Sequence, residues 1–325
     1  MIYGKARLEA VVDWIELEIQ LAERSNFMTV QDHLRGALKL PAGRNPHVEA
    51  LNETAGRSAS IFRFRIQDPK QMRQLDQVLA RMRERFDFGS PQIVAIEVAF
   101  DTYVQGGSVR DLAEVLTDRY RFLTAAPGDD WYFYRSSGDG RHYLNTLDCR
   151  RDLVRHLEQQ WQLTDRNSKN APVRYHAYVK TMDGTQALSP ETYRARLEVT
   201  LQGEALPFTT LEQLKAFDFT KLADHFKFRR LADTLHPIVR HPMATWMKDQ
   251  LGRRGQYRRP IRQGDAMKYA KRKILFRHST VADDGLNAAA YECLRKLTTA
   301  WRSKRAGADF PGHSQAQARS NTANA

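Results

Sequence analysis

"RYHAYVKT", residues 174–181, reads as a β-strand whose two faces have different jobs. Side chains on a strand alternate with period two, so Val173, Tyr175, Ala177 and Val179 share one face and Arg174, His176, Tyr178 and Lys180 the other. The first row wants a hydrophobic core. The second sets a tyrosine in line with three side chains that bind phosphate well.

Two more strands carry the same asymmetry. In "PQIVAIEVAFD" (91–101), Val94, Ile96, Val98 and Phe100 form an apolar row, and Ile93, Ala95, Glu97, Ala99 and Asp101 form a row of acids among small side chains. In 194–201, Ala195, Leu197, Val199 and Leu201 face inward and Arg194, Arg196, Glu198 and Thr200 face away. Taken singly, such rows are ordinary solvated faces with cross-strand ion pairs. Three together ask for a chemical reading.

Around these strands the first 205 residues alternate strand and helix signals. "VVDWIELEIQL" (11–21) reads as a strand with Asp13, Ile15, Leu17 and Ile19 on one face, and "SIFRFRIQ" (60–67) places Phe62, Phe64 and Ile66 inward and Arg63 and Arg65 outward. Thr29 with Asp32 suggests a capping box that opens a helix through Leu38. Asp68 as cap and Pro69 in the first turn suggest a second helix, with Met72, Leu75, Leu79, Met82 and Phe86 at helical spacing. Ser108 with Asp111 caps a third, and "WYFYRS" and "RHYLNT" flank a Ser-Gly-Asp-Gly hairpin turn. The fold class expected is α+β, mainly antiparallel sheet with flanking helices.

After Leu206 the pattern turns to helices only, opened by Thr210 with Gln213. The expected domains are 1–205 (α+β), 206–305 (basic and helical) and a disordered tail, 306–325. Charge divides the same way. The chain has 51 Lys+Arg against 38 Asp+Glu, net +13, and the stretch from Phe226 to Arg305 alone is net +14. A basic block of this kind wants a polyanion, nucleic acid first. Within it, "RRGQYRRPIRQGDAMKYAKRKILFR" (253–277) mixes Arg253, Arg254, Arg258, Arg259, Lys271, Arg272 and Lys273 with Tyr257, Tyr269 and Phe276, suiting phosphates and unpaired bases. No apolar run is long enough to span a membrane and no signal peptide is evident, so a cytoplasmic location is expected. Cys149 and Cys293, far apart, imply neither a disulfide framework nor a zinc site.

The polar rows fit one chemistry. A tyrosine hydroxyl attacks a phosphodiester only if its proton is removed and the charge on the phosphoryl group is offset. Carboxylates holding Mg²⁺ or Mn²⁺ supply that offset, Arg and Lys bind the non-bridging oxygens, and His serves as base or phosphate ligand. Residues four apart on a strand lie about 13 Å apart. Glu97 therefore pairs with Glu198 more readily than with Asp101 at one ion.

The same strands, in the same order, resemble the rolling-circle replication initiation factor family, the trans-acting Rep proteins of small plasmids, with related initiators of filamentous phages and relaxases of integrative elements. "VDWIELEI" looks like that family's opening strand. "IEVAFD" is similar to its R-I-D-x-x-x-D strand, with Glu97 for the first aspartate and Ala95 for the arginine. "YHAYVKT" resembles its Tyr-x-Lys strand, and "RARLEVTL" its R-x-E-x-x-L strand. The resemblance covers roughly residues 10–205. It implies Tyr178 as nucleophile with His176 and Lys180 beside it, Glu97, Asp101 and Glu198 as metal ligands for Mg²⁺ or Mn²⁺, and Arg174 and Arg196 on phosphate. It further implies origin DNA, single-stranded or supercoiled, as partner and a homodimer; a host helicase is a candidate partner whose recruitment the sequence does not decide. His176 stands where the family often has arginine.

The ten histidines include no pair one residue apart, which disfavours the metal-histidine nicking class, and there is no P-loop for an ATP-driven helicase. The rival reading is a DNA-binding regulator, a repressor or copy-control protein, that uses the same basic surface without catalysis.

Overall fold

The computed structural model describes residues 6–41, 43–54, 56–124, 131–137, 140–145, 150–165, 170–184, 186–231 and 280–303. The chain is α+β. Nine strands form one sheet in the order β2-β3-β1-β4-β11-β8-β7-β5-β6. They are β1 (Ala6–Asn26), β2 (Val48–Ala50), β3 (Ser58–Gln67), β4 (Gln92–Val104), β5 (Trp131–Ser137), β6 (Gly140–Asn145), β7 (Gln162–Asp165), β8 (Val173–Lys180) and β11 (Arg194–Gln202). The ladders β1–β3, β2–β3, β5–β6, β5–β7 and β7–β8 are antiparallel. Two short strands, β9 (Met182–Asp183) and β10 (Gln186–Ala187), make a separate hairpin.

The described residues fall into two compact units. One takes Val12–Glu97, Leu201–Phe217 and the chain from Thr298. Its β1–β3 register sets Ile15 against Ile66, Leu17 against Phe64 and Ile19 against Phe62. All six are buried, and so are Val30 and Leu34 of α1 (Phe27–Ala37) and Leu75, Val78, Leu79 and Met82 of α2 (Met72–Arg83). Burying each such side chain contributes about 1.5–3 kcal/mol. The helices are tied by Arg81, which donates to the Ala37 carbonyl at 3.0 Å, and by His33 Nε2 on the Arg81 carbonyl at 2.8 Å. The reverse side of β1 and β3 carries an ion-pair ladder: Arg63 on Glu18 at 2.8 Å and Arg65 on Glu16 at 2.7 Å, with Arg65 also 4.0 Å above the Trp14 ring.

The other unit takes the chain to Val11, then Val98–Thr200 and Asp218–Leu297. Of the apolar rows expected of β4, β8 and β11, Val98 and Phe100, Tyr175, Ala177 and Val179, Ala195, Leu197 and Val199 are buried, and Val173 is part-buried. α3 (Val109–Phe122) buries Leu112, Ala113, Val115 and Leu116. Arg150 in α4 (Arg150–Glu158) holds Asp118 of α3 with two hydrogen bonds, at 2.9 and 3.1 Å. Phe226, closing the short 3₁₀ helix Phe219–Phe226, and Phe228 lie 5.8 and 5.9 Å from Phe100, and the Arg119 guanidinium sits over the Phe100 and Phe228 rings.

Several helix boundaries differ from the sequence expectation. Ser108 with Asp111 and Thr210 with Gln213 do form capping boxes, opening α3 and α5 (Leu211–Ala216). Thr29 does not open α1. β1 runs directly into the helix, and the Asn26 side chain accepts the Met28 N–H at 2.9 Å. Asp68 does not open α2. Its N–H is bonded to the Asp13 carbonyl and its φ is +49°, a left-handed conformation that cannot lead into a helix. The helix begins four residues on, where Gln74 Oε1 accepts the N–H groups of Lys70 and Gln71.

The region after Leu206 is not helical throughout. β12 (Arg229–Leu231) pairs antiparallel with β13 (Thr280–Ala282), and α6 (Asp284–Arg302) follows. Asn287 of α6 clasps this hairpin, accepting the Phe228 N–H and donating to the Phe228 carbonyl. Three-residue strands separated by 48 residues leave no periodic trace in the sequence. Arg253, Arg254, Arg258, Arg259, Lys271, Arg272 and Lys273 and the tail 306–325 lie outside the described residues, as does Cys149. Cys293 is a buried free thiol. Among the described residues no helix is long and apolar enough to cross a membrane.

Candidate functional site

The polar row of β8 meets Glu198 of β11. The Tyr178 hydroxyl donates to Glu198 Oε1 at 2.8 Å, and His176 Nδ1 stands 3.1 Å from Glu198 Oε2. His176 Nε2 is 2.9 Å from Oε1 of Gln162 on β7. Arg196 adds a guanidinium, with Nη1 3.5 Å from Glu198 Oε1. Glu198 is 3 % exposed. Burial by itself would hold it protonated, but its hydrogen bond and charge interaction with His176, then Arg196 and Tyr178, outweigh that, and its carboxyl sits below the ordinary value.

Arg196 is itself held from behind. Its Nε and Nη2 each lie 2.7 Å from an oxygen of Asp101, a bidentate pair in which Arg196 is 2 % exposed and Asp101 0 %. Arg194 Nε adds a contact to Asp101 at 3.1 Å. Burial opposes the Arg196 charge; Asp101 more than offsets it, so the guanidinium stays protonated. Two residues that the sequence placed on metal and on phosphate therefore engage each other instead.

Asp13 of β1, Glu97 of β4 and Glu198 each offer a carboxylate oxygen, and the three oxygens lie within 4.8 Å of one another. Glu97 is 9 % exposed. The donor set is all hard oxygen, of the kind that suits Mg²⁺, Mn²⁺ or Ca²⁺. A carboxylate has about four lone-pair sites. Tyr178, His176 and Arg196 approach three of those on Glu198, which leaves a direction for a cation. The three acids together could hold a metal ion.

The structure brings together Tyr178, His176, Glu198 and Glu97. Asp101 stands apart from the acidic group, against the arginines. Lys180 is mostly buried, 3.6 Å from Asp183, and Arg174 is half-buried with its Nε bonded to no described residue. Asp13 was not singled out as a ligand, although the sequence holds a signal for it: an acid in register with Ile15, Leu17 and Ile19 on an apolar face. Gln162 escaped because β7 is only four residues long.

The other tyrosines nearby sit in different chemistry. Tyr175 faces the core, its hydroxyl 3.0 Å from His225 Nδ1, and burial and then Asp165 push its pKa up. Tyr103 on β4 lies under the Arg7 guanidinium at 3.9 Å. Burial, then Asp101, raise it to about 12. Among these three, Tyr178 is the one whose hydroxyl is bonded to the buried carboxylate.

No family model matches the sequence, and no curated protein matches it. Among solved structures the chain is similar to a rolling circle replication initiator protein from Geobacillus stearothermophilus, at 11% identity over 75% of this chain and 97% of that one. The TM-score is 0.34, too low to establish a common fold.

Proposed function

We propose that this chain nicks and rejoins DNA through Tyr178, as an initiator of rolling-circle replication of a plasmid, phage or integrative element. The observation that carries the proposal is the hydrogen bond from the Tyr178 hydroxyl to Glu198 Oε1, on a buried carboxylate that also belongs to the group of three acids. Glu198 accepts the Tyr178 proton as the phenolic oxygen attacks phosphorus. The P–O3′ bond breaks, the DNA 5′-phosphate stays on the tyrosine, and the departing 3′-oxygen takes up a proton to leave a 3′-hydroxyl for a polymerase. Attack by a 3′-hydroxyl on the phosphotyrosine reverses the step. Asp13, Glu97 and Glu198 would hold Mg²⁺ or Mn²⁺, which when bound supplies Lewis-acid polarisation of a phosphoryl oxygen.

In this reading Arg196 and Asp101 hold Glu198 in place, and Arg174 and Lys180 remain for phosphate. The basic stretch at 253–277 grips origin DNA, with affinity that falls steeply with salt. Homodimer formation, recruitment of a host helicase and a cytoplasmic location belong to the same proposal.

The rival is a non-catalytic DNA-binding regulator, favoured by how fully the buried Asp101–Arg196 pair is satisfied. Labelled supercoiled and single-stranded DNA from the element that encodes the chain, incubated with Mn²⁺ or EDTA and run on denaturing gels, separates the two. A metal-dependent protein–DNA adduct lost in Tyr178→Phe is the expected result. Tight binding with no adduct under any condition would establish the regulator.

A further inference from the structure

We propose that Gln162 is a positioning residue that fixes the imidazole of His176, and that His176 thereby serves Glu198 and not Tyr178. The inference rests on Tyr178 as nucleophile and assigns the work of its neighbours.

The geometry points there from several sides. The β7–β8 ladder aligns Thr164 with His176 and Leu163 with Ala177, so the same register brings Gln162 across from Tyr178 on the face that holds His176. Gln162 Oε1 takes one ring nitrogen of His176 at 2.9 Å and Glu198 Oε2 takes the other at 3.1 Å. An imidazole has two nitrogens, and each has a partner: with an oxygen on both sides both nitrogens donate, or the Gln162 amide turns so that its NH₂ donates to a bare nitrogen. The Tyr178 ring lies beside that imidazole, with centroids 4.8 Å apart and planes 39° apart, and its hydroxyl is bonded elsewhere, to Glu198 Oε1. His176 is thus a neighbour of Tyr178 through its ring and a partner of Glu198 through its nitrogen. The proton acceptor for Tyr178 is the carboxylate, and His176 fixes which of its oxygens faces the tyrosine.

Gln162 is what keeps this arrangement in place. The His176 side chain is 31% exposed, and the final torsion of a histidine is broad and roughly two-fold. With only Glu198 to bond, the ring could turn about that torsion. A second bond on the opposite nitrogen removes the freedom. A glutamine used only for packing would be replaced without effect by methionine, which has the same length and no hydrogen-bonding head.

The test uses the full chain and single-turnover formation of the Tyr178–DNA adduct with Mn²⁺, alongside DNA affinity by anisotropy. Gln162→Met is expected to slow adduct formation by about 10- to 100-fold, the scale of a misplaced catalytic group, with DNA affinity unchanged. Gln162→Glu, which keeps an oxygen at the same reach, is expected to recover most of the rate. In a His176→Ala background, Gln162→Met should cost nothing more, because the two residues act as one unit. Losses that multiply in the double variant, a rate unaffected by Gln162→Met, or an equal fall in DNA affinity would each overturn the assignment. Ring ¹⁵N resonances of His176 in the same variants read the clamp without turnover. They should move in Gln162→Met and stay in Arg63→Gln, and the opposite result overturns the clamp. A wild-type chain that forms no adduct overturns the enzymatic reading and this role with it; an adduct indifferent to Gln162 overturns this role alone.

Discussion

In Phe62–Arg65 and again in Arg194–Leu197 an arginine stands at every second position, with apolar residues between. The first pair, Arg63 and Arg65, meets Glu18 and Glu16 across the β1–β3 ladder, with side chains 32% and 33% exposed. Of the second pair, Arg196 meets Asp101 where neither side chain is more than 3% exposed. One alternation thus produces an ion-pair ladder open to water at Arg63, Arg65 and Glu18, with Glu16 buried, in one place and a dry bidentate pair in the other. The difference is what the partner strand presents. Glu16 and Glu18 lie on a strand whose other face is the buried row Ile15, Leu17 and Ile19; Glu18 keeps 26% of its side chain exposed and Glu16 9%. β4 is buried along nearly its whole length on both faces, so Asp101 has no water and its charge has to be met by arginine. A buried pair of that kind is held more by the cost of breaking it than by any gain in making it.

The largest expected effect is on chemistry. Tyr178→Phe should abolish the adduct, a fall of more than about 10³-fold, while leaving the fold intact. Arg65→Met, on the wet ladder, should leave the adduct unaffected. An adduct surviving Tyr178→Phe would move the nucleophile elsewhere.

Stability comes next. Arg196→Met leaves the buried Asp101 carboxylate with the Arg194 contact alone, and should cost about 3 kcal/mol in urea denaturation. Arg63→Met, whose partner Glu18 keeps 26% of its side chain exposed, should cost about 1 kcal/mol or less. Equal costs would show that the two arginines share one environment, and would break the comparison.

A metal titration sharpens it further. Asp13→Asn should weaken Mn²⁺ binding by calorimetry at least about 10-fold, since even outer partners of metal ligands contribute that much. Glu16→Gln, an acid of the same strand on the ladder side, should leave it unchanged. If both change equally, the ion is held by diffuse charge and not by a site.

The smallest effect is on pH dependence. Burial lowers the pKa of His225, bonded to Tyr175 behind β8, and also that of His47, on the ladder side beside Arg65. A histidine depressed in the folded state binds its proton first in the unfolded chain. Stability is therefore full at neutral pH and falls as pH drops through about 6.5 toward the folded value. The urea midpoint should decline over that range, and His225→Leu should flatten the decline more than His47→Gln, because His225 is the more enclosed.

Sequence alone determined more of the sheet than of the site. Val98, Phe100, Tyr175, Val179, Ala195 and Leu197 could be placed in the core from period-two alternation, because a strand has only two faces and one of them must be dry. The caps at Ser108 and Thr210 were equally legible, since both their hydrogen bonds close within four residues. Asp68 was not, because its conformation is set by a main-chain bond to Asp13, 55 residues earlier. β7 and the β12–β13 pair were too short to leave a period. Tyr178, Glu97 and Glu198 stood out as polar residues on strands with an apolar reverse side, and that is a local property. Which acids share a cluster was not. Asp13 joins Glu97 and Glu198, while Asp101 goes to Arg196 and Arg194, because those choices depend on the order β1-β4-β11-β8 and its stagger. Alternation fixes the face on which a side chain stands. Only the folded sheet fixes its neighbour, and in a buried row the neighbour decides whether a carboxylate is a ligand, a base or the counter-ion of an arginine.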